Sequence, residues 1–525
     1  MNIQSKTGIT QFSGYEQTSS GTVHSVTDAE RTAFTNFINK NLKDDPDCKE
    51  FLPIDPNSNG LVDSIKTGIL LCKLVNIAAP NTIDERAINK TKLNEFKYME
   101  NLDLGINSAS SIGCNTVNVD PEGIKQGRIH LILGLLWQII RIALFQSINI
   151  KVTSDLLCML REGETAEELL SLSPEQLLMR WVNYQVEKAG CTKPVNNFGN
   201  DLKDSYVYSC LESVIMPEHL IHHPSQMNSQ SDIKSRAQMV IANAENAGVA
   251  ALVSPSDIVS GNQKLNMLFL AEMFNKYPCL QTVEVQLDIE ESREEKSYRN
   301  WMNSLGVKPT VTYFYRDLSD GIVLLQINEI LYQNCVVWDK VNKPPFKQNK
   351  VFLCKVENCN KVVDLAKKYN FSVVGLSGED IAKSSRLHIL GLVWQLMSRY
   401  TLQRLQQLSG GDKPIADAEI IAWANEKYKS AGKTMKISSF KDPLVLNSHA
   451  LFELLDILRV GSVDRSLVKV GANEEEKLLN AKLAVSLARK IGATVYALPE
   501  DIVEGKTKMV MTVFACLMIT EFKKK

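Results

Sequence analysis

The sequence predicts an all-α fold built from four repeated domains. An apolar helix at Gly127–Ile140 recurs at Arg386–Met397 with the same Trp-Gln pair. No segment shows the sustained alternation of apolar and polar residues that is typical of strands. A second copy so far away indicates a repeat protein. The repeat length, about 105–120 residues, is that of a complete domain with its own core.

Composition limits the classes of function. The chain has 525 residues, of which 44% are apolar and 23% charged, and its formal net charge is −1. This balance gives no global field that would attract nucleic acid. Eleven scattered cysteines fit free thiols in a reducing compartment. The sequence has no secretion signal and no apolar run of about 20 residues, so we expect a cytoplasmic protein without a transmembrane segment.

The first domain is expected at residues 27–147. Residues 1–26 are polar and predict a flexible tail. Thr27 and Glu30 predict a capping box that starts the first helix. Further helices are predicted at Ile65–Val75 and Tyr98–Ile112, and the apolar helix at Gly127–Ile140 closes the domain.

The same order of helices recurs three more times. An aromatic residue two positions before an asparagine marks each first helix, at Phe37, Trp181, Trp301 and Trp423. We expect the later domains at residues 174–280, 294–403 and 416–525. A helical linker at 148–173, an acidic linker at 281–293 and a Gly-rich linker at 404–415 would separate them.

These features resemble calponin-homology domains, and four in tandem resemble the fimbrin/plastin family of actin-bundling proteins. The residues that carry the resemblance include Trp301-Met302-Asn303, Asp317–Gly321 and Asp380-Ile381. Longer strings such as Thr82–Lys90 and Val495–Asp501 extend it over almost the whole chain. The resemblance implies four calponin-homology domains arranged as two actin-binding units.

Some positions depart from the family pattern. Family members carry two EF-hands before the first domain, where this sequence has only the short polar tail, so we expect calcium-independent behaviour. Phe37 replaces the usual tryptophan. The Asp-Gly turn before the central helix becomes Asp204-Ser205 in the second domain and is missing at Leu446–His449 in the fourth.

The sequence offers no convincing catalytic, cofactor or metal site, and we expect no enzyme activity. Asp55–Gly60 imitates the start of an EF-hand loop, but Lys66 occupies the position that needs a bidentate glutamate. The Gly-Lys-Thr tripeptides at 432–434 and 505–507 lack the earlier glycine of a phosphate loop. His219, His222 and His223 have no evident further ligand.

Surface recognition is therefore the expected function. The family resemblance implies that each pair grips actin through the first and last helices of its leading domain and the first helix of its trailing domain. An acidic filament would favour exposed cations on these helices. The candidates in the first pair are Arg31, Lys40, Lys125, Arg128, Arg141 and Arg180, with Leu131, Leu135 and Ile139 as apolar candidates. Those in the second pair are Lys296, Arg299, Lys383, Arg386, Arg399 and Lys427.

We expect a monomer that ties filamentous actin into tight bundles of the cytoskeleton, without a cofactor. A microtubule-binding calponin-homology protein is the alternative in the same class. A nucleotide-hydrolysing regulator is the alternative among enzymes. Because the fourth domain lacks its turn, the two halves are expected to differ in filament affinity.

Overall fold

In the computed structural model, residues 20–150, 152–283, 291–410 and 415–523 are described, and these ranges contain helices but no strand. The all-α prediction is confirmed. Six α-helices form each domain. Domain 1 contains α1 (Ser20–Leu42), α2 (Gly60–Ile65), α3 (Ile69–Ala78), α4 (Glu95–Ser111), α5 (Pro121–Lys125) and α6 (Ile129–Phe145). The short helix α7 (Ala166–Leu170) lies between domains 1 and 2.

Domains 3 and 4 repeat this plan, whereas in domain 2 a short helix follows the central helix instead of preceding it. Domain 2 contains α8 (Pro174–Lys188), α9 (Tyr206–Ile215), α10 (Pro224–Ser229), α11 (Ile233–Asn246), α12 (Pro255–Ser260) and α13 (Gln263–Lys276). Domain 3 contains α14 (Arg293–Ser304), α15 (Phe314–Leu318), α16 (Ile322–Leu331), α17 (Val351–Lys368), α18 (Gly378–Ala382) and α19 (Arg386–Ser409). Domain 4 contains α20 (Asp417–Ser430), α21 (Pro443–Leu446), α22 (His449–Leu458), α23 (Glu474–Lys490), α24 (Pro499–Val503) and α25 (Thr507–Phe522).

Each central helix begins at a residue with left-handed backbone geometry. Gly68 and Gly321 have φ angles of 75° and 76°, and Ser205 and Ser448 have φ angles of 62° and 66°. A Cβ at Gly68 would lie 2.5 Å from that of Asn101, so a glycine is required there. The expectation that domain 4 has lost this turn is wrong, because buried Ser448 adopts the same conformation without a glycine.

The structure differs from the sequence prediction at the first helix and the linkers. Helix α1 begins at Ser20 rather than Thr27, so residues 20–26 continue the helix, while the rest of the predicted tail lies outside the described residues. The predicted helical linker contains only a 3-10 turn (Ser154–Met159) and α7. Helix α19 continues to Ser409 because Leu405 is buried, and ends at Gly410 in left-handed geometry. Most of the acidic linker (284–290) lies outside the described residues.

The two domains of each pair join in the same way. In the first pair the Lys264 ammonium of α13 lies 4.3 Å from the ring centroid of Trp137 on α6. In the second pair Lys508 of α25 lies 5.3 Å from Trp394 on α19. Lys264 also forms an ion pair of 2.6 Å with Glu30 of α1. The tryptophan of the Trp-Gln pair in each leading domain therefore contacts a lysine of the trailing domain.

The two pairs close on each other through helix α4 of domain 1. Buried Arg489 of α23 donates from Nη1 to the carbonyl of Thr82 in domain 1 at 2.9 Å, and from Nη2 to its own domain's Val495 carbonyl at 2.8 Å. Burial lowers the pKa of Arg489 to about 10. The hydroxyl of Tyr496 lies 2.9 Å from that of Ser110 and 2.6 Å from that of Ser304, so one phenol links domains 1, 3 and 4.

We predict that Arg489→Ala loosens the contact between domains 1 and 4. Its loss leaves buried carbonyls unpaired, at a cost of about 2 kcal/mol, and amides of α4 should exchange with solvent roughly thirtyfold faster. Hydrogen–deuterium exchange measured by mass spectrometry checks this. Arg465→Ala is the matched control, because Arg465 is a more exposed arginine of domain 4 whose pairs with Glu453 and Asp456 are intradomain. Equal exchange in the two variants would contradict the prediction.

Candidate functional site

The last helix of each leading domain, α6 in domain 1 and α19 in domain 3, has one row of solvent-exposed residues. On α6, Leu133, Ile140 and Leu144 are buried, whereas His130 and Gly134 are exposed. The exposed positions recur every four residues, which places them on one face of the helix. On α19 the corresponding row contains Leu387 and Gly391, counted from the shared Trp-Gln pair.

A glutamine in this row fastens a neighbouring loop to the helix. Gln138 accepts from the amide of Asn115 at 2.7 Å and donates to the Asn115 carbonyl at 3.1 Å. Gln395 makes the same two hydrogen bonds to Ser372, at 2.6 and 2.9 Å. The two loops are therefore held in the same place against α6 and α19.

Each fastened loop presents an exposed valine. Val117 is 72% exposed and Val374 is 94% exposed. Together these residues define two loop–helix surfaces. Their matched members lie at one constant spacing in the sequence, except the two arginines, whose spacing is one residue longer. The first consists of Asn115, Val117, Arg128, His130, Gly134 and Gln138, and the second of Ser372, Val374, Arg386, Leu387, Gly391 and Gln395.

The exposed glycines of both surfaces have no structural necessity. A Cβ built on Gly134 or Gly391 would meet no atom within 4 Å, and neither residue has a positive φ angle. Glycine inside a helix costs about 1 kcal/mol relative to alanine. A bare backbone at this place lets a partner surface approach closely, so both glycines indicate a binding face.

Sequence reasoning noticed the Trp-Gln pair but missed this surface. Leu387, Val117 and Val374 were absent from the candidate residues, although Leu387 is 81% exposed beside Arg386. The signal available in the sequence was the repetition of Gly and Gln four residues apart in both helices. Hydropathy alone could not find it, because this row lies in a nearly continuous apolar run.

Four of the predicted cations are exposed. Arg128 and Arg386 stand at the beginnings of α6 and α19, beside the two loop–helix surfaces. The Arg128 guanidinium donates to Gln126 at 3.0 Å, and that of Arg386 lies 5.5 Å from the Tyr315 ring centroid. Lys383 pairs with Glu379 at 2.6 Å. Lys296, on α14, is also exposed.

The other predicted cations are engaged within the molecule. Lys40 pairs with Glu272 and Arg141 with Glu175, and both pairs join domain 1 to domain 2. The remaining contacts lie within single domains or reach the adjoining linkers: Arg31 with Asp28, Lys125 with Glu95, Arg180 with Glu164, Arg299 with Glu291, Arg399 with the Tyr332 hydroxyl, and Lys427 with Glu521. In this conformation Lys40 and Arg141 join domains, Arg180 and Arg299 hold linkers, and the other four pair within single domains.

The apolar candidates on α6 have different environments. Leu135 and Ile139 are buried in the core of domain 1, because they follow the row of Ile132 and Leu136 rather than the exposed row. They present no surface to a partner in this conformation. Leu131 is half-buried.

Arg180 fixes the linker between domains 1 and 2. Its guanidinium donates two hydrogen bonds to the Glu164 carboxylate, at 2.7 and 2.9 Å, and one to the Met159 carbonyl at 3.3 Å. These hydrogen bonds lower the pKa of Glu164 from 4.5 to about 2. The bidentate pair therefore orders the linker wherever the carboxylate is ionised.

Other polar motifs do not assemble a reactive site. His222 contacts Asn243 through Nδ1 at 2.6 Å, and His223 contacts Ser225 at 2.8 Å. Lys66 pairs with Asp63 at 2.7 Å. Across the described ranges, no group of three or more His, Cys, Asp or Glu residues is arranged to hold a metal ion. Within the same ranges no helix combines the length and apolarity needed to cross a bilayer.

The chain is similar to known proteins in both sequence and structure. The calponin homology domain model matches residues 28–145, 172–279, 292–402 and 414–521. Plastin-2 of Danio rerio and plastin-1 of Homo sapiens are each 47% identical over 98% of this chain and 84% of their own length. The crystal structure of the actin-crosslinking core of Schizosaccharomyces pombe fimbrin is similar, with a TM-score of 0.77 and 36% identity over 94% of this chain and 99% of that one.

We predict that Glu164→Gln destabilises the chain in a pH-dependent way. Because the folded-state pKa of Glu164 is depressed, its stabilisation is fully present above about pH 4.5 and is lost as the pH falls toward 2. Thermal melting should show a lower Tm for the variant at neutral pH, and the difference should shrink below pH 4.5. The control is Glu162→Gln, which changes an exposed neighbour. A difference in Tm that does not vary with pH would contradict the prediction.

Proposed function

The chain belongs to the fimbrin/plastin family of four-calponin-homology-domain proteins, and from this premise we propose that it crosslinks actin filaments into bundles. The observation that carries the proposal is the duplication of the loop–helix surface, once in each pair of domains. The similar fimbrin core is itself described as actin-crosslinking. A chain with two equivalent binding faces can join two filaments without forming an oligomer, so the monomer is the proposed active form.

Each surface has the composition of a protein contact. An exposed valine, a bare glycine backbone and an arginine at the helix start combine apolar area with one positive charge. The two surfaces differ in side chain at two matched positions, with Asn115 in the first against Ser372 in the second and His130 against Leu387. We propose that the second surface binds more through apolar contact, which keeps the expectation that the halves differ in affinity.

Short connections favour tight bundles. The linker between domains 1 and 2 is held by Arg180 and Glu164, and domain 4 is held to domain 1 by Arg489. Ordered domains leave little freedom in the distance between the two surfaces, so binding at one presents the other at a high effective concentration. We place the protein on actin bundles of the cytoskeleton, in a structural rather than an enzymatic role.

We predict that Gly134→Glu and Gly391→Glu separate binding from bundling. A Cβ at either position meets no atom within 4 Å and both positions are exposed, so each domain should fold, while the carboxylate blocks close approach of an acidic filament. Each single variant should still pellet with filaments at high speed but lose the low-speed pellet that bundles form. The double variant should bind filaments roughly a hundredfold more weakly than the unaltered chain.

The control for this series is Gln238→Glu. It adds the same charge at an exposed position of α11, away from both surfaces. Its bundling should match that of the unaltered chain. If the double variant bundles normally, these surfaces are not the filament contacts. If the unaltered chain pellets with microtubules and not with actin filaments, the microtubule alternative replaces the proposal.

We also predict that bundling does not depend on calcium. The described residues contain no group suited to a metal ion, and Lys66 stands where an EF-hand loop needs a glutamate. Low-speed pelleting of filaments should be the same with calcium and with a chelator. Loss of the pellet on adding calcium would contradict this proposal.

A further inference from the structure

The beginning of α17 in domain 3 carries a basic and apolar face that lies apart from both loop–helix surfaces. Val337, Phe352 and Leu353 are 60%, 48% and 53% exposed. The same stretch contains four exposed lysines, and no ion pair involves any of them among the residues that the structure describes. The basic–apolar face consists of Val337, Lys340, Lys343, Lys347, Lys350, Phe352 and Leu353.

An asparagine fixes this stretch against α17. The amide of Asn342 donates to Oδ1 of Asn358 at 2.9 Å, and Nδ2 of Asn358 donates back to the Asn342 carbonyl at 2.9 Å. The Asn342 side chain also donates to Glu357 at 2.8 Å. The lysines at 340 and 343 are thereby held beside the helix that carries Phe352 and Leu353.

Domain 1 has the same asparagine arrangement on α4. Asn89 exchanges hydrogen bonds of 2.9 Å with Asn101, and its side chain donates to Glu100 at 2.8 Å. There domain 4 covers the face. Lys490 donates to Asn89 at 3.0 Å, and Arg459 lies 4.3 Å from the ring centroid of Phe96 and 3.4 Å from Glu100.

The two faces differ in charge. In domain 1, acidic Glu100 receives Arg459 and Lys490 of domain 4. Residues 80–96 of domain 1 contain three acidic and three basic residues, whereas the corresponding residues 337–353 of domain 3 contain four lysines and one acidic residue, Asp339. Glu357 occupies the place of Glu100 in domain 3, so the difference in charge comes from this stretch. A cationic partner like domain 4 would be repelled. The face of domain 3 therefore fits an anionic partner, although the net charge of the whole chain is −1.

We propose that the basic–apolar face docks the protein onto an anionic lipid membrane. Lysines are flexible point charges that respond to a surface potential rather than to the fixed geometry of one acceptor. Exposed Phe352 and Leu353 supply side chains that enter the boundary between headgroups and acyl chains. An acidic protein could pair with the same lysines. Binding to such a protein would not require that Phe352 and Leu353 both enter an apolar layer.

The test is vesicle flotation with the full chain, on phosphatidylcholine vesicles with and without phosphatidylserine. The unaltered chain should float only with the phosphatidylserine vesicles, and less at high salt. The triple variant Lys343→Glu/Lys347→Glu/Lys350→Glu should bind about a hundredfold more weakly, at roughly fivefold per lysine. Phe352→Ser/Leu353→Ser should also lose most binding.

Matched controls separate the face from general charge and hydropathy. Lys49→Glu/Lys234→Glu/Lys436→Glu makes the same change in net charge at exposed lysines of domains 1, 2 and 4, and Val460→Ser/Val470→Ser removes two other exposed apolar side chains. Both should float like the unaltered chain, and far-ultraviolet circular dichroism should be the same for all variants. The proposal is overturned if the unaltered chain does not float, or if the control variants lose binding as much as the test variants. It is also overturned if the triple variant loses filament bundling while flotation is unchanged, since the partner would then be a protein.

Discussion

The contact between a tryptophan and a lysine organises each half of the molecule. Lys264 over Trp137 and Lys508 over Trp394 join the closing helices of the two domains in each pair. Such a contact contributes about 0.5–2 kcal/mol, depending on its exposure. Its larger consequence is orientation, because it turns one side of α6 and α19 toward the trailing domain. The adjacent row, with its glycine and glutamine, is thereby left to solvent.

Helix α4 gives the whole chain its closed arrangement. It packs within domain 1, meets α23 of domain 4, and accepts a hydrogen bond from Asn300 of domain 3 at the carbonyl of Ser111. Buried Arg489 and Tyr496 satisfy their polar atoms across these contacts. Such groups are costly to leave unpaired, so the domains associate in one specific way. The corresponding helix of domain 3, α17, has no such hydrogen bond or ion pair to another domain among the described residues, and lysines lie at its beginning instead.

Much of the fold could be predicted from the sequence because its signals are local or repeated. The Trp-Gln helix and the aromatic-x-Asn first helix each recur as helices. The helix predicted at Ile65–Val75 begins only at Ile69, after the left-handed Gly68. The turn before α22 was not predicted, because the sequence has a serine there in place of the glycine. Ser448 can nevertheless adopt left-handed geometry when the surrounding residues hold it. The predicted domain boundaries stay predictions.

The binding residues were harder to predict than the fold. Whether Arg141 is free or paired with Glu175 depends on how two domains dock, and nothing near Arg141 in the sequence reports that. Leu135 and Ile139 were candidates for filament contact because the sequence of an apolar helix does not show which of its rows the rest of the domain covers. Gly134 and Gly391 become informative only when the empty space around them is known. Side chains whose partners lie hundreds of residues away therefore require the tertiary structure.

The most direct test of the two-surface arrangement is electron cryo-microscopy of actin filaments bundled by the full chain. We predict density for α6 and its Asn115–Val117 loop against one filament, and for α19 and its Ser372–Val374 loop against the neighbouring filament. A bundle in which the filaments instead contact only domains 2 and 4, with both loops in solvent, would contradict it.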